Sequence, residues 1–286
     1  FWDSFHHGDY AYSAHSHMGN LPGAMPFYFI LAYPFYLIGE LGFFSLMGLV
    51  IFILILKYSK LNINDQFSGI LLVISSAFYL WETITRSNLF LNSSLILFAI
   101  LYFLKTLQMN RLKHLIINGV IIGLLLSTRN VMIIPFIALF SYVFINKIYS
   151  FTDIMKIGLV IALVFSITFF PFVINHLDEF LVLNPFTTLS SFLMPSWLSL
   201  ICISLSFASL FLIRKTADIF FCSGIFIFIT MLIYAIYHLY LYGLQVSFFE
   251  SKVDISYFIL SIPFFIYYVL IDEKKLEFQI NDNLRK

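Results

Sequence analysis

Residues 24–56 read AMPFYFILAYPFYLI, then GEL, then GFFSLMGLVIFILIL, and the topology of the whole chain turns on whether this stretch crosses a bilayer once or twice. The answer comes from lysine and arginine further along. Lys57 and Lys60, then Lys105, Arg111 and Lys113, then Lys147 and Lys156, then Arg214 and Lys215, and finally Lys274, Lys275, Arg285 and Lys286 fall in connections that alternate with nearly uncharged ones. Only Arg86, Arg129 and Lys252 belong to the other set. Basic residues accumulate in short cytoplasmic loops, which puts the larger set inside and residues 1–24 outside. Two crossings within 24–56 would invert that bias. Residues 24–38 therefore read as an interfacial or re-entrant helix under the outer loop, with Pro26, Pro34 and a density of Phe and Tyr that suits the headgroup level.

Outward from this stretch, apolar segments recur at about 42–56, 67–82, 89–104, 114–128, 131–146, 157–174, 196–213, 217–240 and 255–272. They predict an all-α, polytopic membrane helical bundle of about nine spans plus the interfacial helix. Several segments are near 15 residues, whereas about 20 cross a bilayer, so some are expected as half-helices enclosed by protein. Composition agrees: 61% of the residues are hydrophobic and 11% charged, with mean hydropathy +0.95, against roughly 45–50% and about 25% in soluble domains. The organisation reads as an outer loop and interfacial helix over 1–40, a transmembrane bundle over 41–272 and a cytoplasmic tail over 273–286. The chain opens at Phe1 with neither an initiator Met nor a signal-peptide pattern, which suggests a preceding helix. Cys202 and Cys222 lie in apolar runs and read as small hydrophobes rather than a disulfide.

With this topology six of the seven histidines (His6, His7, His15, His17, His176, His238) and seven acids (Asp3, Asp9, Glu82, Asp178, Glu179, Glu250, Asp254) fall on the outer face. A wet, titratable end above an apolar scaffold is where membrane proteins place chemistry or binding. Asp9, in GDYAY, suits a general base on an acceptor hydroxyl, or a carboxylate holding a divalent ion against phosphate oxygens; Gly8-Asp9 is equally ordinary turn chemistry. Asp3 is the second carboxylate candidate, and Tyr10 joins the substrate-binding candidates beside Asp9. The four loop histidines match no zinc spacing, so His15 and His17 read better as phosphate or sugar contacts. Arg86 in TITRSNLFLN and Arg129 in LLLSTRNVMIIP sit at tight outer turns, where a guanidinium fork suits phosphate and snorkelling to headgroups is the plain alternative. The helices around STRN are short and would hold Arg129 near the bundle interior. Lys252, in FFESKVDIS, stands at the outer mouth of the last segment, as a phosphate contact or a capping charge. The outer loop HLDEFLVLNPFTTLSSFLMP (176–195) could cover a lipid groove or simply connect. P-loop, dinucleotide, HExxH, GxSxG and CxxC patterns are missing, mid-span ionisable residues are scarce, and no basic patch supports nucleic-acid binding.

The order of these features resembles the GT-C superfamily of polytopic membrane glycosyltransferases, which are mannosyltransferase-like enzymes using polyprenyl-phosphate sugars at the outer membrane face. The resemblance rests on GDYAY, on PGAMPFYFILAYPFYLIG, on TRSNLFLNSSL, on GLLLSTRNVMIIP and on SYFILSIPFF. It implies Asp9 as catalytic or metal-binding carboxylate, Arg129 and Lys252 near the donor phosphate, and magnesium or manganese as a possible cofactor. It also implies a membrane lipid environment, a polyprenyl-phosphate sugar donor and a glycan, lipid or protein acceptor. Asp9 is followed by Tyr10 rather than a second acid, and Ser256-Tyr257 stands where the superfamily has Arg-Tyr. The Phe-, Ile- and Asn-rich composition points to a bacterial inner membrane. The reading from another class is a non-catalytic polytopic protein, a lipid or polysaccharide exporter or an envelope-complex subunit.

Overall fold

The computed structural model describes residues 1–15, 21–86, 89–107, 111–186, 194–249 and 253–271. His17, Lys252 and the tail from 272 lie outside the described residues. Within them every regular element is helical and there is no strand.

The outer loop carries α1 (Trp2–His7), closed by Gly8 in the left-handed region (φ 81), with Asp9 N–H donating to the Ser4 carbonyl at 2.9 Å. Glycine takes that conformation without the steric cost a Cβ imposes. A short 3-10 turn (Ala11–Ser13) follows. Then come α2 (Pro26–Ile38), α3 (Phe43–Tyr58), α4 (Ile63–Ile74), α5 (Ala77–Thr85), α6 (Leu89–Thr106), α7 (Arg111–Leu126) and α8 (Ile133–Ile145). The second half holds α9 (Phe151–Val173), α10 (Leu177–Val182), α11 (Ser196–Ser206), α12 (Ser209–Leu212), α13 (Thr216–Leu244) and α14 (Ile262–Leu270). Start signals are local: Pro26 occupies the first turn of α2, Asn62 caps α4, and Ser150 with Asp153 forms a capping box on α9, each satisfying amide groups a helix start leaves bare.

Every apolar segment of the sequence lies on a helix or a helix pair. Among the described residues three helices are long and apolar enough to cross a membrane: Leu89–Thr106, Phe151–Val173 and Thr216–Phe249. The number rises to five if each bent pair is one span. One such pair is α2 with α3, bent by 119° at Gly39–Gly42; the other is α4 with α5, bent by 58°. Such helices make this a membrane protein. Four further apolar helices are shorter, at 10–17 residues.

Burial separates the inside of the bundle from its rim. Over its span window α6 is 78% buried and α9 only 28%, and α9 presents Leu159, Leu163, Ile167 and Phe170 outward. An apolar face without protein cover suits lipid tails. α9 packs along α7 through Gly119 and Gly123: a Cβ on Gly123 would stand 2.9 Å from the Ile161 carbonyl oxygen, and one on Gly119 2.8 Å from Val160. Small residues four apart let two backbones approach closely in a membrane.

Candidate functional site

The site is built on the turn after α7. Thr128 N–H closes the helix on the Leu125 carbonyl. The carbonyls of Ser127 and Thr128 then accept the Phe27 and Met25 N–H groups at 2.9 and 3.0 Å, so the start of α2 is fastened to the end of α7. The Ser127 hydroxyl shares a 2.6 Å hydrogen bond with that of Thr168 on α9. Arg129 follows in extended conformation (φ −155, ψ 142), ahead of a 3-10 turn, Asn130–Met132. Its guanidinium lies over two tyrosine rings, 5.5 Å from the centre of Tyr28 on α2 and 5.8 Å from that of Tyr257, within the range of cation–π attraction.

Tyr257 is held by its own scaffold. It belongs to a 3-10 helix, Ile255–Ser261, capped by Asp254, whose Oδ1 accepts from the Ser256 N–H at 2.9 Å and the Ser256 hydroxyl at 2.6 Å. The Asp254 N–H donates to the Tyr234 hydroxyl on α13 at 3.2 Å, and the Tyr234 ring meets Tyr257 edge-on at 5.8 Å. On the other side Glu82 of α5 is completely buried, and its two carboxylate oxygens accept the Phe90 N–H at 3.0 and 3.1 Å. It thereby caps the start of α6, and it lies within electrostatic range of Arg129 and Asp254. Three ionisable side chains, Glu82, Arg129 and Asp254, are thus gathered where α2, α5, α6, α7 and the 3-10 helix meet.

Arg129 and Tyr257 also line a cavity of about 630 Å³, within the range of roughly 300–1,000 Å³ typical of small-molecule sites. Its walls come from α9 (Gly158, Ile161, Ala162, Phe165), α11 (Leu200, Cys202, Ile203), α8 (Ile133, Ile134) and α13 (Thr230, Met231). The lining is mostly aliphatic and aromatic, with Asn130, Ser196, Ser199 and Thr230 as its uncharged polar members and Arg129 as its cationic group.

The remaining sequence candidates are distributed differently. The Asp9 carboxylate is exposed and makes no hydrogen bond or ion pair among the described residues; its position is set by the turn at Gly8. Asp3 is exposed and accepts a hydrogen bond from the Tyr36 hydroxyl of α2. Tyr10 is buried, its hydroxyl donating to the Leu183 carbonyl at 2.6 Å; burial, with the Glu179 charge nearby, raises its pKa. It anchors the loop to the segment after α10. His15 is exposed. Arg86 closes α5 at φ 54 and pairs with Glu40 at 3.1 Å, with side chains 69% and 37% exposed, tying the α2–α3 bend to the α5–α6 turn. Among the described residues no three of His, Cys, Asp and Glu are grouped as a metal site. Of the candidates within the described residues, Arg129 alone lines the cavity.

Sequence reasoning counted Glu82 and Asp254 only among the outer-face acids, and gave Tyr28 and Tyr257 no role in the site. Glu82 carries a signal in retrospect: in AFYLWETIT (77–85) it is the only charged residue of an apolar helix. Tyr28 carries none, because aromatic residues are common throughout the chain; Tyr257 is marked only by its place in the SYFILSIPFF resemblance. Compared with known protein families, curated proteins and solved structures, the chain matches none.

Proposed function

We propose that this chain is a membrane glycosyltransferase of GT-C type, with about nine spans and α2 as an interfacial helix, transferring sugar from a polyprenyl-phosphate donor at the outer membrane face. The observation that carries the reading is the mostly apolar cavity of about 630 Å³ with Arg129 in its lining. A polyprenyl phosphate has the matching shape, a long hydrocarbon joined to one anionic group, and a guanidinium recognises phosphate by paired charge-assisted hydrogen bonds.

In the reaction, Asp9 takes the proton of an acceptor hydroxyl as its oxygen attacks the anomeric carbon. The bond from that carbon to the phosphate oxygen breaks, and the lipid phosphate leaves with the electron pair. Arg129, with Lys252, neutralises the charge that builds there, and the configuration inverts because a single displacement occurs. In the alternative role, Asp9 would hold a magnesium or manganese ion, which would supply positive charge to the leaving phosphate, since hard cations prefer oxygen. Asp3, Tyr10, Arg86, His15 and His17 would serve the acceptor side. The acceptor is a glycan, lipid or protein, and a bacterial inner membrane is the proposed location.

The exposed, unpartnered carboxylate of Asp9 and the lack of any contact between it and Arg129 among the described residues favour a second reading, a non-catalytic lipid-phosphate carrier or envelope-complex subunit. The two are separated by measuring transfer of labelled sugar from a polyprenyl-phosphate donor in membranes holding the chain or its Asp9→Asn variant at equal abundance. Transfer that is lost with Asp9→Asn while insertion is normal supports the enzyme. Transfer that survives removes Asp9 as the base, and its absence with the unaltered chain favours the carrier.

A further inference from the structure

The turn that carries Asp9 is tied to the cavity by one side chain and a short wall segment. Tyr10, the next residue, is buried, and its hydroxyl donates at 2.6 Å to the carbonyl of Leu183, 173 residues along the chain. Its ring also packs on that of His176 at 5.6 Å. The His176 N–H bonds the Val173 carbonyl at the end of α9 at 2.8 Å, and its Nδ1 stands 3.3 Å from Glu179 Oε1 of α10. The segment after α10 is in turn folded onto the cavity. The Leu183 N–H closes α10 on the Glu179 carbonyl at 2.7 Å, the Asn184 amide donates to the Phe180 carbonyl at 3.1 Å, and its Oδ1 accepts the Phe186 N–H at 3.1 Å. Phe186 lines the cavity together with Arg129, its ring stacked on Phe169 of α9 at 5.4 Å and lying 6.2 Å from that of Phe165, another lining residue. The Ser127–Thr168 hydrogen bond marks the level of the Arg129 turn on α9. Val173 lies five residues nearer the outer loop, about 7.5 Å at 1.5 Å per residue. The contact of Tyr10 with the end of α9 therefore lies beyond the arginine, on the side where a sugar held by its phosphate would project.

We propose that Tyr10 is a positioning residue for the transfer reaction: its hydrogen bond to Leu183 holds the Asp9 turn in register with the cavity wall at Phe186. The proposal rests on the glycosyltransferase reading above and adds what sets the place of its base. The Asp9 N–H bonds the Ser4 carbonyl within the loop, so the turn moves with the loop, and the anchor next to it in sequence is Tyr10. A misplacement of about 1 Å costs on the order of 100-fold in rate. A hydroxyl that touches neither donor nor acceptor thereby acts on the chemical step through the residue beside it, while the cavity that holds the lipid phosphate keeps its shape.

The test measures kcat and KM for transfer of labelled mannose from polyprenyl-phosphate mannose in membranes holding the whole chain, with polyprenyl phosphate binding measured in nanodiscs. Tyr10→Phe keeps the ring and removes the hydroxyl. Ser13→Ala removes the 2.7 Å hydrogen bond from the Ser13 hydroxyl to the Tyr10 carbonyl in the same turn and leaves the link to Leu183 in place. The expected result for Tyr10→Phe is a kcat lower by about 10- to 100-fold, with KM for the donor and affinity for polyprenyl phosphate unchanged; Ser13→Ala keeps the kcat of the unaltered chain. An unchanged kcat in Tyr10→Phe, a loss confined to donor affinity, or an equal loss of kcat in both variants overturns the positioning role and leaves the glycosyltransferase reading standing. No transfer by the unaltered chain overturns that reading and the positioning role with it. If Tyr10→Phe does not insert, hydrogen exchange on the unaltered chain in nanodiscs decides: polyprenyl phosphate slows residues 183–186 and 9–13 together, and any other pattern overturns the link.

Discussion

Two turns of this protein carry nearly the same letters, TRSN at 85–88 and TRN at 128–130, and they put their arginines to different uses. Arg86 stands 69% exposed and pairs with a half-exposed Glu40. Arg129 lies over two tyrosine rings and lines the cavity, on a turn whose carbonyls are occupied by the start of α2. Local sequence sets the turn in both cases. What differs is the number of separate elements that converge on the residue: two rings from distant segments and the cavity lining for Arg129, one carboxylate for Arg86.

Substitutions probe this difference in decreasing order of effect. Arg129→Gln should weaken binding of polyprenyl phosphate by about 10- to 150-fold, equivalent to roughly 1.5–3 kcal/mol for hydrogen bonds to a charged group, measured in nanodiscs; unchanged affinity would dissolve the contrast. Glu82→Ala should cost roughly 1–3 kcal/mol of stability, the penalty for leaving buried amides unsatisfied, seen as a lowered midpoint of thermal unfolding. Glu82→Gln, which still accepts a hydrogen bond from Phe90, should recover part of that loss. Tyr257→Leu keeps the apolar contact and removes the ring face beneath Arg129, for an expected loss of about 0.5–2 kcal/mol in lipid-phosphate affinity. Arg86→Gln sits at the other extreme. An exposed pair contributes about 0–1 kcal/mol, so stability should shift barely and lipid-phosphate affinity not at all; an affinity loss as large as that of Arg129→Gln would show the two turns to be equivalent.

The helices are legible in the sequence because their signals are local. Apolar runs end at charged or glycine-bearing turns, as at Lys57–Lys60 after α3, and caps such as Ser150–Asp153 announce where the next helix begins. The bend of 119° between α2 and α3 is written in the same way, by Gly39 at φ 81 and by Glu40, whose carboxylate accepts the Gly42 N–H at 2.8 Å. Arg129 is legible as an interior arginine because two short apolar segments flank it. Glu82, Tyr28 and Tyr257 are not legible as a group, because their roles come from segments far apart in the chain that meet only after packing. Asp9 illustrates the converse: GDYAY draws attention by its chemistry, yet the turn that holds it is a plain helix end with the carboxylate in the open.

The fastening of α2 to the turn after α7 sets a clock on biosynthesis. The hydrogen bonds from Phe27 to Ser127 join positions 100 residues apart. At about 5–20 residues per second, α2 waits roughly 5–20 s after its own synthesis before its partner exists. Tyr257 arrives 128 residues after Arg129, about 6–26 s later again. Until then an amide-bearing helix start and an arginine turn must be tolerated by lipid, translocon or chaperone. A position at the membrane surface, where water still reaches both, is the one place a nascent chain can keep them without penalty.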